Sequence, residues 1–170
     1  MKIFYPEQYA DSVIDIDYKA LYRAGVRLIL FDVDNTLATY NRALPEPRIQ
    51  ALIQRLKEQG FEIVLVSNGG EHRVERFAAA LAVHYVYRAM KPLPSGVCRV
   101  LQQRNVQKKE AVLVGDQVFT DVWAGNWAGI NTVLTRPIST VDDEWITKIK
   151  RGLESRVIAR YLKKEGKKHE

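Results

Sequence analysis

Short runs of β-rich apolar residues alternate along this chain with stretches of helical apolar spacing, and that alternation constrains the fold more than any other feature. Val26–Phe31, Phe61–Val66, His84–Tyr87, Ala111–Val114 and Ile130–Leu134 read as five strands. They are nearly continuous apolar rather than alternating, which is the pattern of strands covered on both faces. Between them lie Pro45–Gln59, with Ile49, Leu52, Ile53 and Leu56 at helical spacing before Gly60, then Glu71–Leu81, Pro94–Arg104 and Phe119–Ala128. A last helix is expected from Asp142 to about Lys164, with Ile146, Ile149, Leu153, Val157 and Tyr161 on one stripe. The pattern predicts an α/β fold, a five-stranded parallel sheet flanked by helices.

The 170 residues suffice for one domain, 1–170, with no internal repeat, low-complexity segment or interdomain linker. The single cysteine, Cys98, excludes an internal disulfide framework, fits a reducing cytosol and reads as buried and inert. The longest apolar run, Phe77–Val83, is far short of the roughly 20 residues of a spanning helix. Pro6 and Glu7 precede any apolar stretch, so the start does not read as a secretory signal. A cytoplasmic location is expected.

Parallel sheets of this kind bind ligands beyond the carboxyl ends of their strands, at the switch in strand order. The polar residues cluster there. Val26–Phe31 runs into Asp32-Val33-Asp34-Asn35-Thr36, and Phe61–Val66 into Ser67-Asn68. Lys91 follows His84–Tyr87. Ala111–Val114 runs into Gly115-Asp116-Gln117, with Thr120-Asp121 a turn later. Carboxylates this close repel one another, so they call for a cation, and oxygen ligands suit a hard divalent ion such as Mg²⁺. In such a crevice Asp32 can attack phosphorus to form an aspartyl-phosphate. Mg²⁺ and Lys91 can neutralise the transferring group, and Ser67 can donate to its oxygens. Asp34 faces the same mouth and can protonate the leaving oxygen, then deprotonate the attacking water.

These residues resemble the four motifs of the haloacid-dehalogenase-like phosphatases. Asp32-Val33-Asp34-Asn35-Thr36-Leu37 is similar to the first motif, Ser67 to the second, Lys91 to the third, and Gly115-Asp116 with Thr120-Asp121 to the fourth, in the family's order over residues 26–134. The resemblance implies a Rossmann-like core, Asp32 as nucleophile and Asp34 as acid/base. It also implies that Ser67 and Lys91 bind phosphate, with Asn68 beside them at the substrate. It assigns the metal to Asp32, the backbone carbonyl of Asp34 and Asp116, with Asp121 acting through water. An aspartate at position 34 points to phosphatase rather than dehalogenase. The stretches Val13–Asp17 and Leu21–Val26, with the segment from Val114 to Gly129, further resemble the bacterial subfamily called YqeG, related to mitochondrial phosphatases acting on phosphatidylglycerophosphate. The spacing leaves no room for a large cap domain. Only Ala38–Leu44 precedes the next helix, and about twenty residues separate Asn68 from Lys91. An open site suits a bulky substrate or a headgroup presented at a surface.

The net charge of +6 sits at the C-terminal end. Residues 147–170 hold nine basic and three acidic side chains, and residues 1–146 hold 17 of each sign. An amphipathic helix over 142–168 whose basic end touches an anionic membrane is one reading; a solvated helix end that covers the sheet is the plainer one. A single aromatic there, Tyr161, argues against nucleic acid. An oligomeric neighbour is compatible with the chain. Three further functions compete with a lipid-phosphate phosphatase. A phosphatase of soluble esters or of phosphorylated macromolecules has the same motifs. A receiver-type phospho-switch places its aspartates and lysine in a different order. A Walker-type nucleotide binder lacks its G-x-x-x-x-G-K-[ST] loop here. Arg42 reads as a substrate contact in a minority of cases, His72 as a surface residue, and Trp123 and Trp127 as packing or an interface.

Overall fold

The computed structural model describes residues 2–139 and 145–166. Its centre is a parallel sheet of β1 (Gln8–Ala10), β2 (Leu28–Phe31), β3 (Glu62–Val66), β4 (His84–Val86), β5 (Ala111–Gly115) and β6 (Asn131–Thr135). The order across the sheet is β1-β6-β5-β2-β3-β4. The five expected strands are present within a residue or two, and the sheet gains a sixth. That strand, β1, is three residues long, carries no buried side chain and pairs with Val133–Thr135 at the edge. Its sequence holds no apolar run, so periodicity has nothing to detect.

The helices are α1 (Tyr18–Arg23), α2 (Pro47–Glu58), α3 (Glu71–Leu81), α4 (Ser95–Arg104), α5 (Trp123–Ala128) and α6 (Trp145–Gly166). Successive strand residues face opposite sides of the sheet. Ile29, Phe31, Ile63 and Leu65 pack with Leu21, Leu52, Leu56 and Phe77 of α1–α3, while Leu28, Leu30, Val64 and Leu113 pack with Val97, Val100 and Ala124 of α4 and α5. Both faces are therefore covered, and the central strands are buried throughout. Cys98, expected inside, is exposed: Val97, Val100 and Leu101 form the buried face of α4, and Cys98 points off it. No domain is inserted after β2 or between β3 and β4, as the spacing predicts.

Two departures concern the site. The helix expected over Phe119–Ala128 opens instead as a wide π-type turn over Val118–Val122, and only then continues as α5. Such turns recur at functional sites, and Asp121 lies in this one. The apolar stripe expected along α6 is split. Val157 and Ile158 pack against the buried cluster of Val118, Val122 and Leu134, and Tyr161 is buried, but Ile149 and Leu153 are exposed. Asp142, the expected start of that helix, and Lys167 and Lys168 at its basic end lie outside the described residues, as does the side chain of Ile146.

Candidate active site

The chain reverses direction across the sheet between β2 and β5: β3 and β4 lie on one side of β2, and β5 and β6 on the other. The loops leaving β2 and β5 therefore diverge and open a crevice at their carboxyl ends. Asp32 is the first residue after β2 and Asp116 the first after β5, with the Asp32 N–H donating to the Val114 carbonyl at 2.9 Å.

Carboxylate oxygens of Asp32, Asp116 and Asp121 all lie within 4.8 Å of one another, and all three residues are buried. Lys91 Nζ enters this group and donates to Asp32 Oδ1 and to Asp121 Oδ1, both at 2.6 Å. Thr36 Oγ1 donates to Asp116 Oδ1 at 3.1 Å. Burial raises the pKa of Asp32, against the pull of Lys91, and repulsion from Asp121 and Asp116 adds to the rise. Burial pushes Asp116 up to about 7, with Asp121 again adding, while Arg151 and Thr36 hold it back. Burial alone would lower the pKa of Lys91, but Asp121 and Asp32 outweigh it and the shift is upward. Three buried carboxylates thus face one ammonium and the one guanidinium of Arg151, which leaves them short of positive charge, and a hard divalent cation would meet that need. Asp32, Asp116 and Asp121 thus fit a divalent metal by donor type, proximity and electrostatics.

Two further features hold this cluster in place. Gly115 brings its backbone against Asp121, since a Cβ there would lie 2.2 Å from the Asp121 Cγ. Asn68 grips the main chain of Lys91 from both ends: Nδ2 donates to the Lys91 carbonyl at 2.9 Å, and Oδ1 accepts from its N–H at 2.8 Å.

A family model described as haloacid dehalogenase-like hydrolase matches residues 42–129. A curated relative named probable phosphatase YqeG, from Bacillus subtilis (strain 168), is 33% identical over 165 residues, covering 97% of this chain and 95% of its own length. The chain belongs to the haloacid dehalogenase-like hydrolases. Phosphatidylglycerophosphate phosphatase 1, chloroplastic/mitochondrial, from Arabidopsis thaliana is 31% identical, covering 88% of this chain and 45% of that longer protein. Among solved structures, the cobalt-bound deoxy-D-mannose-octulosonate 8-phosphate phosphatase of Haemophilus influenzae has a TM-score of 0.54 at 15% identity, covering 75% of each chain, a likeness of fold.

In this hydrolase the other expected residues sit around the cluster with different partners. Ser67 is buried at the end of β3, and its Oγ accepts from the Gly69 N–H at 3.0 Å while keeping its own proton to donate. The Asp34 carboxylate stands apart from the buried cluster and is held by Arg73. Arg42 turns its side chain to Glu46 at 3.3 Å rather than to the crevice. Trp123 and Trp127 stack at 6.1 Å, with Phe4 edge-on to Trp123, while Trp127 is exposed on its outer side.

Three residues at the site have no sequence signal. Arg73 is one. Arg151 of α6 donates from Nη2 to Asp116 Oδ2 at 2.7 Å, and Glu154, one turn on, is buried and accepts from the Phe119 N–H at 2.8 Å. The helix expected only to cover the sheet or reach a membrane is thus also the outer wall of the crevice.

Proposed function

We propose that this phosphatase is a Mg²⁺-dependent phosphomonoesterase working through an aspartyl-phosphate on Asp32, with phosphatidylglycerophosphate as its substrate. The observation that carries the reading is the buried group of Asp32, Asp116 and Asp121 around Lys91 Nζ at the switch point of the sheet. Asp32, Asp116 and Asp121, with the backbone carbonyl of Asp34, would hold the metal. When bound, Mg²⁺ supplies charge neutralisation for the phosphoryl oxygens.

The chain's own residues divide the remaining work. Lys91 fixes the rotation of Asp32 through Oδ1 and adds positive charge beside the transferring group. An oxygen of Asp32 forms a bond to phosphorus as the bond to the substrate alcohol breaks. Asp34 gives its proton to that departing oxygen. A water then adds to phosphorus, Asp34 takes back a proton, the Asp32–phosphorus bond breaks and inorganic phosphate leaves. Ser67 Oγ–H donates to a phosphoryl oxygen. Asn68 acts one step removed, by holding the main chain of Lys91.

Two observations favour a lipid phosphate over a soluble ester. One is the likeness to the Arabidopsis protein. The other is the rim of the crevice. Tyr40, Leu44, Met90, Leu93 and Ile138, all in loops at the catalytic edge of the sheet, are exposed large apolar side chains. The opposite edge exposes fewer such side chains, Tyr22 among them, beside the polar Gln107, Lys108 and Lys109. An apolar rim around a polar crevice suits a headgroup at an apolar–water boundary. Arg156, Arg160, Lys163 and Lys164, exposed on α6 with Leu153 and Leu162, would add peripheral contact with an anionic leaflet on the cytoplasmic side. Among the described residues no helix is long and apolar enough to cross a membrane.

The deciding experiment is a hydrolysis screen with Mg²⁺, offering phosphatidylglycerophosphate in mixed micelles beside a panel of soluble phosphate esters, with Asp32→Asn as control. The expected result is preferred turnover of the lipid, lost in the variant and in excess chelator. Preference for a soluble ester would overturn the substrate. Turnover by folded Asp32→Asn would overturn the covalent route.

A further inference from the structure

Arg73 is the third residue of α3, in a first turn whose unpaired N–H groups disfavour a cation. It is held there by specific partners. Nε and Nη2 both donate to Asp34 Oδ1, at 2.9 and 2.6 Å. Nη1 donates to the Arg42 carbonyl at 2.7 Å, and Nη2 also to the Thr39 carbonyl at 3.2 Å. The guanidinium carbon lies 5.2 Å from the ring centroid of Tyr40. One side chain thus ties Asp34 and the loop over residues 39–42 to the start of α3.

The split of the Asp34 carboxylate matters for its chemistry. Arg73 takes Oδ1. The other oxygen, Oδ2, is on the side of the Ser67–Gly69 turn: a Cβ placed on Gly69 would be 3.6 Å from Asp34 Oδ2 and 3.2 Å from Ser67 Oγ. A guanidinium on one oxygen excludes the proton from it, because the guanidinium has only donors to offer. Oδ2, the oxygen that Arg73 does not hold, is therefore the one on the side of the turn that carries Ser67, the residue expected to bind phosphate.

We propose that Arg73 is the positioning residue for the acid/base step: it fixes Asp34 so that the proton is exchanged through Oδ2, and it makes the 39–42 loop and the acid/base one rigid unit. The inference rests on Asp34 being the acid/base residue. Arg73 does not touch the reacting atoms; it acts through Asp34. Lysine is a poor replacement, because one ammonium cannot reproduce the planar fork that reaches a carboxylate oxygen and two carbonyls together.

The test compares an alkyl and an aryl phosphate monoester in Arg73→Ala, Arg73→Lys, Asp34→Asn and the double variant Asp34→Asn/Arg73→Ala, with thermal unfolding of each. An aryl oxygen departs with little protonation, whereas an alkyl oxygen needs the proton. Misplacing a general acid is expected to cost about 10- to 100-fold in kcat. That loss should fall on the alkyl ester in Arg73→Ala, with less than about threefold on the aryl ester, and Arg73→Lys should show the same bias at smaller size. The double variant should lose no more than Asp34→Asn alone. Equal loss on both esters, or a rise in KM on both with kcat unchanged, would overturn the positioning role. Should Arg73→Ala fail to fold, Arg73→Lys decides by the same bias. If Asp34→Asn itself shows no alkyl–aryl bias, it is the acid/base reading that fails, and that outcome is separate from equal losses at Arg73 beside a biased Asp34→Asn.

Discussion

Two basic residues of the site, Lys91 and Arg73, make ion pairs of the same length in different surroundings. Lys91 meets Asp32 and Asp121 at 2.6 Å with side chains 2–9% exposed. Arg73 meets Asp34 at the same 2.6 Å with side chains 20% and 23% exposed. Distance alone would rank them equal. Burial separates them, because water can replace a lost partner at the rim and cannot in the cluster. Breaking a buried pair leaves a stranded charge that costs about 3–5 kcal/mol, whereas exposed pairs contribute ~0–1 kcal/mol. The inner half of the site is therefore tied to the stability of the fold, and the outer half is tied mainly to chemistry.

Lys91→Met should break that comparison hardest. It removes the ammonium shared by two buried carboxylates, so the metal-free protein should lose about 3–5 kcal/mol and turnover should fall below detection. Added Mg²⁺ should restore part of the stability, since a cation again neutralises the carboxylates, but not the activity. Urea unfolding in chelator and in Mg²⁺, beside Arg73→Ala as the rim control, measures the difference. A Lys91→Met protein as stable in chelator as the parent would show that the cluster does not depend on this charge.

Gly115→Ala should come next. Its new Cβ would fall 2.2 Å from Asp121 Cγ and 2.4 Å from Oδ2, so either Asp121 leaves Lys91 or the backbone of β5 shifts. Overpacking of this kind costs about 1–3 kcal/mol, and displacement of Asp121 should weaken metal binding as well. Calorimetric unfolding with a Mg²⁺ titration reads both. Lost stability with an unchanged metal affinity would mean that the backbone of β5, not Asp121, takes up the new Cβ.

The two halves also differ in how far the sequence reveals them. Asp32, Ser67, Lys91 and Asp116 were legible because each directly follows a strand or its connecting turn, and a parallel sheet brings all strand ends to one edge. Arg73, Arg151 and Glu154 were not. Each reads as one more charged residue on an amphipathic helix, and its partner lies 39, 35 and 35 residues away, reached only through how α3 and α6 pack. Gln8–Ala10 is silent in the sequence for a different reason: an edge strand of three residues, none of them buried, leaves no periodicity. The π-type turn at Val118–Val122 is indistinguishable in sequence from the start of an ordinary helix at Phe119, because its apolar residues satisfy either spacing.

The titration of the inner half gives a smaller effect with a definite sign. Asp116 rises from 3.8 to about 7 and Asp32 also rises. Between about pH 4 and 7 the folded metal-free protein therefore holds the Asp116 proton that the unfolded chain has already released, and Asp32 acts in the same direction. Stability in chelator should fall as pH rises through that window, by at most about 1.4 kcal/mol per pH unit for each proton. Mg²⁺ should oppose the fall, because it binds the deprotonated carboxylates, and its affinity should climb up to about pH 7 and then level. Chemical unfolding at pH 5, 6, 7 and 8 with and without Mg²⁺ checks the sign. Rising stability across that range in chelator would place the protons elsewhere.

Arg151 joins the two halves and gives the smallest and most discriminating prediction. Its side chain is 14% exposed, between the values of the cluster and the rim, and its partner Asp116 is fully covered. In the metal-free protein it supplies Asp116 with the positive charge that burial demands. A divalent ion held by the same carboxylate would either displace the guanidinium or sit beside it against its repulsion. Both cases give the same direction. Arg151→Gln keeps a donor of similar reach and removes the charge, so Mg²⁺ should bind about three- to tenfold more tightly, up to ~1.4 kcal/mol. Stability in chelator should drop, because Asp116 loses its counter-charge. Glu154→Gln, one turn further along α6, is the comparison: it keeps the Arg151–Asp116 pair while weakening the hold on the Phe119 and Val118 N–H groups and removing a negative charge that acts on Arg151. Calorimetric Mg²⁺ titration of both variants separates the possibilities. Tighter binding confined to Arg151→Gln identifies Arg151 as a cation standing in for the metal. Weaker binding would instead make it a residue that aims Asp116 at the ion, and α6 would then belong to the inner half of the site.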